Sequence, residues 1–313
     1  LMSLRMIMRD TFLNRLTQLA ATDKDVVLLT ADLGFGVFEE FELAFPGQYY
    51  NVGVAEQNMT GLAAGLALEG KKVITYSIGN FPTLRCLEQI RNDACYHDLN
   101  ITIVASGGGF SYGSLGMSHH TTEDLAILRA LPNMTVVAPC SAWEAGEAIA
   151  SLIDSSGTSY LRLDKTVADV KSINKFILGK AIKYMDGSDI TLIVTGGILK
   201  EVMIAAELLK KDGINVRVIG MHTVKPIDKK AIISAAKETG GILTVEEHNI
   251  NGGLGGAVSE VCMDENTFPV TFKRIGLNDE YSSIVGSQEY LRTRYSLDSS
   301  FIVDSVKVML ERQ

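Results

Sequence analysis

Cysteine is scarce in this chain of 313 residues: there are four, Cys86, Cys95, Cys140 and Cys262, and no two make a C-x-x-C pair. That excludes a disulfide framework and a cysteine-based zinc site, and leaves buried thiols in a reducing compartment as the expectation. Positive charge is short as well. Lys and Arg number 29 against 37 Asp and Glu, a formal net charge of −8, and no basic run stands out. An acidic chain without a basic stripe argues against nucleic acid as a partner. No apolar run approaches the roughly 20 residues of a membrane helix. Residues 1–9 carry two arginines, Arg5 and Arg9, and are too short for a signal-peptide core. The expected location is the cytoplasm, with no membrane partner. Solenoid repeats and low-complexity tracts are missing too. What the chain does have is apolar residues, 46% of the total, ample for one large core or two medium ones.

Short β-branched runs alternate with amphipathic stretches. Residues 26–30, 72–76, 101–105 and 135–138 read as buried strands, and 190–195, 216–219 and 241–245 continue the series. Stretches 57–68, 84–96 and 142–153 have helical spacing. Over 167–174 the pattern lapses before a second alternating series begins. The expectation is an α/β protein of two doubly wound domains, residues 1–172 and 173–313, each built on a parallel sheet covered on both faces.

Ligands of such folds collect beyond the carboxyl ends of the strands, so the loops there carry the chemistry. The first, Ala31-Asp32-Leu33-Gly34-Phe35-Gly36, holds an aspartate that, taken alone, caps a turn. The second, Asn51-Val52-Gly53-Val54-Ala55-Glu56-Gln57-Asn58-Met59, opens a helix crowded with Gly and Ala. Glu56 suits a helix N-terminus electrostatically. Equally, a carboxyl beside so closely packed an apolar helix is a candidate for catalysis. The third contains Ser77-Ile78-Gly79-Asn80-Phe81, where base rates assign Phe81 to the core. The fourth runs from Ser106 through Gly107-Gly108-Gly109 to His119-His120. Its glycines do not spell G-x-G-x-x-G leading into a helix. Two adjacent histidines on an exposed loop point to proton handling, and no further ligand stands at metal spacing.

In order, these segments resemble the pyrimidine-binding domain of the transketolase family. Residues 51–59 are similar to its G-V-x-E segment. Gly116-Met117-Ser118-His119-His120-Thr121-Thr122-Glu123-Asp124, running on to Leu131-Pro132-Asn133, is similar to its G-x-T-H-x-x-x-E…L-R-x-x-P-N segment. Met221-His222-Thr223-Val224-Lys225-Pro226-Ile227-Asp228 and residues 245–255 resemble its C-terminal domain. The resemblance implies thiamine diphosphate as cofactor. Glu56 matches the Glu that hydrogen-bonds the aminopyrimidine N1′ and favours the imino tautomer that deprotonates the thiazolium C2. Phe81 matches the aromatic stacked on the pyrimidine. Asp32 and Leu33 match a segment near cofactor and partner, and His119 matches the substrate-facing histidine. His120, its neighbour, joins the candidate substrate-binding set. Arg9 and Lys165 match basic positions of the family. Glu246, Glu247 and His248 are expected to be structural.

The family holds the diphosphate through Mg²⁺ on a G-D-G…N motif, and no G-D-G occurs here. The resemblance therefore implies a split enzyme: a partner chain, the N-terminal transketolase subunit, supplies the Mg²⁺ and diphosphate site, as an α2β2 assembly. The implied reaction is transfer of a two-carbon ketol unit from a ketose to an aldose. Gly107, Leu115 and Gly36 replace a His, an Asp and a Ser of the family's substrate pocket, which implies sugars or sugar phosphates other than the usual ones. Other readings are a 2-oxoacid dehydrogenase β subunit, a deoxyxylulose-phosphate-synthase-like enzyme, a scaffold that has kept the fold, and a nucleotide-binding protein using the Gly107 loop.

Overall fold

Alternate side chains of a strand point to opposite faces of its sheet, and in β1 (Val26–Thr30) all five are buried. Val26 and Leu28 pack into one core with Met8, Phe12 and Leu16 of α1 (Met8–Thr22). After α2 (Glu39–Ala44) and β2 (Tyr49–Asn51) comes α3 (Glu56–Leu68), whose Met59, Ala63 and Ala64 share a second core with Val27 and Leu29. One strand thus anchors helices on both faces, the arrangement its β-branched and Leu-rich sequence calls for. The structure, a computed structural model, describes residues 7–165 and 175–311, so the expected boundary between 172 and 173 lies outside the described residues.

The chain continues through β3 (Lys72–Ile78), α4 (Leu87–Gln89), β4 (Ile101–Ser106) and α5 (Asp124–Arg129). Then come β5 (Met134–Val137), α6 (Ala142–Ile153) and β6 (Thr158–Leu163). The Ser141 hydroxyl caps α6 by accepting from the Glu144 N–H at 3.3 Å. In place of a single helix over 84–96 there is a 3₁₀ turn, Leu84–Cys86, then α4, then a π-helical turn, Ile90–Cys95. Apolar spacing over so short a stretch does not register a change of helical pitch.

The second series comprises β7 (Ile182–Met185), β8 (Ile190–Val194), α7 (Leu199–Lys211), β9 (Val216–Gly220), β10 (Thr223–Lys225) and α8 (Lys229–Glu238). It ends with β11 (Ile242–Asn249), α9 (Leu254–Asp264), β12 (Phe272–Leu277), α10 (Gln288–Arg294) and α11 (Ser299–Glu311). The sheets run β10-β5-β6-β4-β3-β1-β2 and β12-β11-β8-β9-β7. Neither is purely parallel: β7 lies antiparallel to β9, and β10 lies antiparallel to β5, pairing Thr223 with Val137. The second series therefore lends a strand to the first sheet.

Buried charge joins the same two parts. Arg162 of β6 donates to the carbonyls of Thr121 (3.3 Å) and Glu247 (2.9 Å), with the Asp124 and Asp164 carboxylates each 3.6 Å away. The Glu247 carboxylate accepts from Arg292 Nε at 2.5 Å, from Gln288 Nε2 at 2.9 Å and from the Phe110 N–H at 2.5 Å. All four cysteines are buried and free. No helix among the described residues is long and apolar enough to cross a membrane.

Candidate active site

The loops at the carboxyl ends of β1, β2, β3 and β4 gather on one edge of the first sheet, and they hold most of the residues singled out in the sequence. Asp32 has φ +55°. Its N–H donates to Asn51 Oδ1 at 2.9 Å, and Asn51 Nδ2 donates back to its carboxylate at 3.2 Å. The same Asn51 oxygen accepts from the Gly53 N–H at 3.0 Å, tying the loop after β1 to the entry of α3. Asp32 and Leu33 line a shallow depression of about 120 Å³ with Phe38, Tyr49 and Asn51.

Glu56 stands in the first turn of α3 and is 2% exposed. Its Oε2 accepts a 2.7 Å hydrogen bond from Arg85 Nη1. The Arg85 guanidinium also lies 4.6 Å from the centre of the Phe81 ring. Phe81 is half-buried and joins no core cluster, contrary to the base-rate expectation. Its ring meets that of His119 edge-on, centres 5.3 Å apart. His119 Nδ1 is 3.0 Å from the Ser118 hydroxyl, and the ring lies 6.4 Å from that of Tyr112. Over Tyr112, at 3.7 Å, sits the ammonium of Lys165. Burial first, and the neighbouring Arg9 charge second, hold the Lys165 ammonium below its ordinary pKa. Glu56, Phe81, His119 and Lys165 are thus brought together, with Arg9 close by. Asp32 and Leu33 stand aside: among the described residues no hydrogen bond or ring contact links them to this run.

His120 corrects the expectation of an exposed histidine pair. It is buried, its Nε2 is 3.1 Å from the Gly113 carbonyl, and its ring packs edge-on against Phe110 at 5.0 Å. The chain enters an extended conformation at His120 as the short helical turn Met117–His119 ends, which sends the two rings apart. Asn80 Nδ2 fixes the turn by donating to the His120 carbonyl at 2.8 Å.

The triple glycine proves to be a packing device. A Cβ on Gly107, whose φ is +100°, would run into the Tyr112 ring; one on Gly108 would strike Arg162 and Asp164, and one on Gly109 would strike Glu247. Neighbouring side chains therefore fill the space a phosphate-cradling turn would need. In the second series, Glu246 accepts from the N–H groups of Leu254 (2.7 Å) and Gly255 (2.8 Å) at the start of α9, and burial raises its carboxyl to about 7. Burial also lowers the His248 imidazole. A cavity of about 460 Å³ lined by Lys273, Arg274, Tyr281 and Arg294 contains none of the candidate residues.

Arg85 and Tyr112 were not singled out in the sequence. The signal for Arg85 is its place four residues after Phe81, one helical turn; for Tyr112 it is an aromatic inside a glycine-rich loop. On the loops that carry the candidate residues, Phe35, Val54, Leu84, Leu115 and Met117 expose apolar surface, Val54 to 75%.

Two families cover the chain: "Transketolase, pyrimidine binding domain" at residues 5–169 and "Transketolase, C-terminal domain" at residues 179–300. An apulose-4-phosphate transketolase subunit of Phocaeicola vulgatus is 39% identical over 298 residues, 94% of each chain. The 6-deoxy-6-sulfo-D-fructose transketolase subunit SqwH of a Clostridium species is 36% identical over 309 residues, 98% of this chain and 95% of that one. A solved split-gene transketolase, described as an inactive beta4 tetramer, superposes with a TM-score of 0.88 at 32% identity, covering 98% of this chain and 99% of its own. This chain belongs to the transketolase family, carries its pyrimidine-binding and C-terminal domains in that order, and is a subunit of a transketolase-type transferase.

Proposed function

We propose that this chain holds the aminopyrimidine half of thiamine diphosphate, and that a partner chain supplies the diphosphate and Mg²⁺ site, the two forming one active site in an α2β2 assembly. The observation that carries the reading is the run of neighbours from Glu56 through Arg85, Phe81, His119 and Tyr112 to Lys165. A carboxylate, a flat apolar ring, a histidine and a cation line one rim of the sheet.

The residues fit the pyrimidine. Glu56 has one oxygen engaged by Arg85, while Oε1 accepts no hydrogen bond among the described residues. When bound, thiamine diphosphate supplies the carbon nucleophile that takes up a two-carbon ketol unit. Glu56 holds the pyrimidine N1′ and selects its tautomer, and Phe81 offers the ring face for stacking. His119 moves protons at the hydroxyls of donor and acceptor. Lys165 and Arg9 hold an anionic terminus, the first as a point charge, the second as a fork. Asp32 and Leu33 frame the cofactor beside the partner. The exposed Phe35, Val54, Leu84, Leu115 and Met117 are the surface that the partner covers.

The substrate class follows from the same rim: a ketose with an anionic end, other than the usual pentose phosphates. Gly107, Leu115 and Gly36 lack the family's polar contacts, and Tyr112 occupies the room beside Gly107. The relatives point the same way, one named for a phosphate and the other for a sulfonate.

The test is calorimetry of thiamine diphosphate and Mg²⁺ with this chain alone and with its partner, followed by a donor–acceptor assay. Binding in the mixture only, then two-carbon transfer without CO2 release, is expected. Tight binding by the chain alone would overturn the shared site, and CO2 release would favour oxoacid or deoxyxylulose-phosphate chemistry.

A further inference from the structure

Glu56 and Phe81 come from different loops, and one side chain touches both. Arg85 donates from Nη1 to Glu56 Oε2 at 2.7 Å and lays its guanidinium 4.6 Å from the Phe81 ring centre. Its backbone N–H donates to the Asn80 carbonyl at 3.3 Å, in the loop that carries Phe81. A carboxylate 2% exposed needs a partner, since an unpaired buried charge is costly. Arg85 meets that need at a single oxygen.

We propose that Arg85 is a positioning residue for the cofactor's pyrimidine: it anchors the Glu56 carboxyl group through Oε2, turns Oε1 toward the pyrimidine N1′, and backs the Phe81 ring on which the base stacks. The inference rests on the function proposed above and deepens it. Two features separate this from a fold-stabilising ion pair. The Arg85 side chain is 46% exposed, so it reaches Glu56 from the open rim rather than from within the core. The rigid fork also fixes the carboxylate in one plane, which a compact ammonium does less well, while its stacking on Phe81 holds the fork itself in place.

The experiment compares binding of thiamine diphosphate and of its analogue with N1′ replaced by CH, by calorimetry on the complex of this chain with its partner. In wild type only the first ligand uses the Glu56 hydrogen bond. Arg85→Gln is expected to weaken thiamine diphosphate about tenfold and the analogue hardly at all. Arg85→Lys keeps the charge but not the fork. It is expected to lose about threefold on thiamine diphosphate alone, and it carries the test should the Gln variant not fold. Equal losses on both ligands, or no loss on either, would overturn the role of Arg85 while leaving the cofactor assignment intact. Failure of the wild-type complex to bind thiamine diphosphate would overturn the assignment, and this inference with it.

Discussion

The Lys165 ammonium lies 3.7 Å above the centre of the Tyr112 ring, and that ring stands where a side chain on residue 107 would otherwise be. A glycine with φ +100° thereby decides how close an aromatic, and the cation on its face, come to His119. Lys165→Met removes charge that acts on a substrate's anionic end equally in the ground and transition states. KM for a phosphorylated or sulfonated ketose should rise about tenfold with kcat nearly unchanged. Steady-state kinetics of the assembled enzyme decide it: a fall in kcat with KM constant would place Lys165 in the chemistry.

Glu56→Gln keeps size and shape but removes the charge. Turnover should fall by about a hundredfold or more, with circular dichroism and assembly unaltered. Retained turnover would mean that the carboxylate is a helix-end group and the chain a scaffold.

Glu144 gives a pH signature of the fold. Burial raises its carboxyl from 4.5 to about 7, against the lowering effect of hydrogen bonds from Tyr184 and the Cys140 N–H. A carboxyl with a raised folded-state pKa favours the native state most below its unfolded value, and that stability is lost as pH climbs toward 7. Glu144→Gln mimics the neutral acid. The variant should gain on wild type between pH 4.5 and 7, by at most about 3 kcal/mol, then run parallel above that. Melting temperatures at a series of pH values give the answer, and a gap that shrinks with rising pH would contradict it.

Arg292→Ala leaves Glu247 buried with its cation gone. Breaking such a pair costs about 3–5 kcal/mol, visible as a lowered midpoint in urea. Because Glu247 also holds the Phe110 N–H, in the loop leading to Tyr112 and His119, substrate KM should rise as well. An unchanged midpoint would show that Gln288 alone suffices for that carboxylate.

Val54→Glu puts a charge on an exposed apolar residue two positions before Glu56. The free chain should melt as wild type does, while sedimentation shows weakened assembly with the partner. Normal assembly would move the interface elsewhere.

Much of this architecture is legible from local chemistry. The buried strands announce themselves by β-branched runs, and α6 by its helical spacing. Glu56 is conspicuous because its helix is crowded with small residues. What stays hidden depends on distant contacts. Three-residue β10 has no pattern of its own and exists only by pairing with Val136 and Val137. His119 and His120 are indistinguishable as letters and separate only where a helical turn gives way to extended chain. Arg85 sits in a stretch, Leu84-Arg85-Cys86-Leu87, where its charge looks like a solvated helix face, and nothing local tells that a carboxylate 29 residues earlier stands within reach.

The strand β10 reaches back from the second series to cover the outer side of β5. A fragment ending before residue 175 would lack that cover and leave β5 with a row of unmatched amide and carbonyl groups, a template for other chains. Such a fragment would self-associate, visible as oligomers in sedimentation. The pyrimidine-binding half is therefore not a module to be cut out and transplanted: its last strand is encoded some sixty residues after β6 has ended.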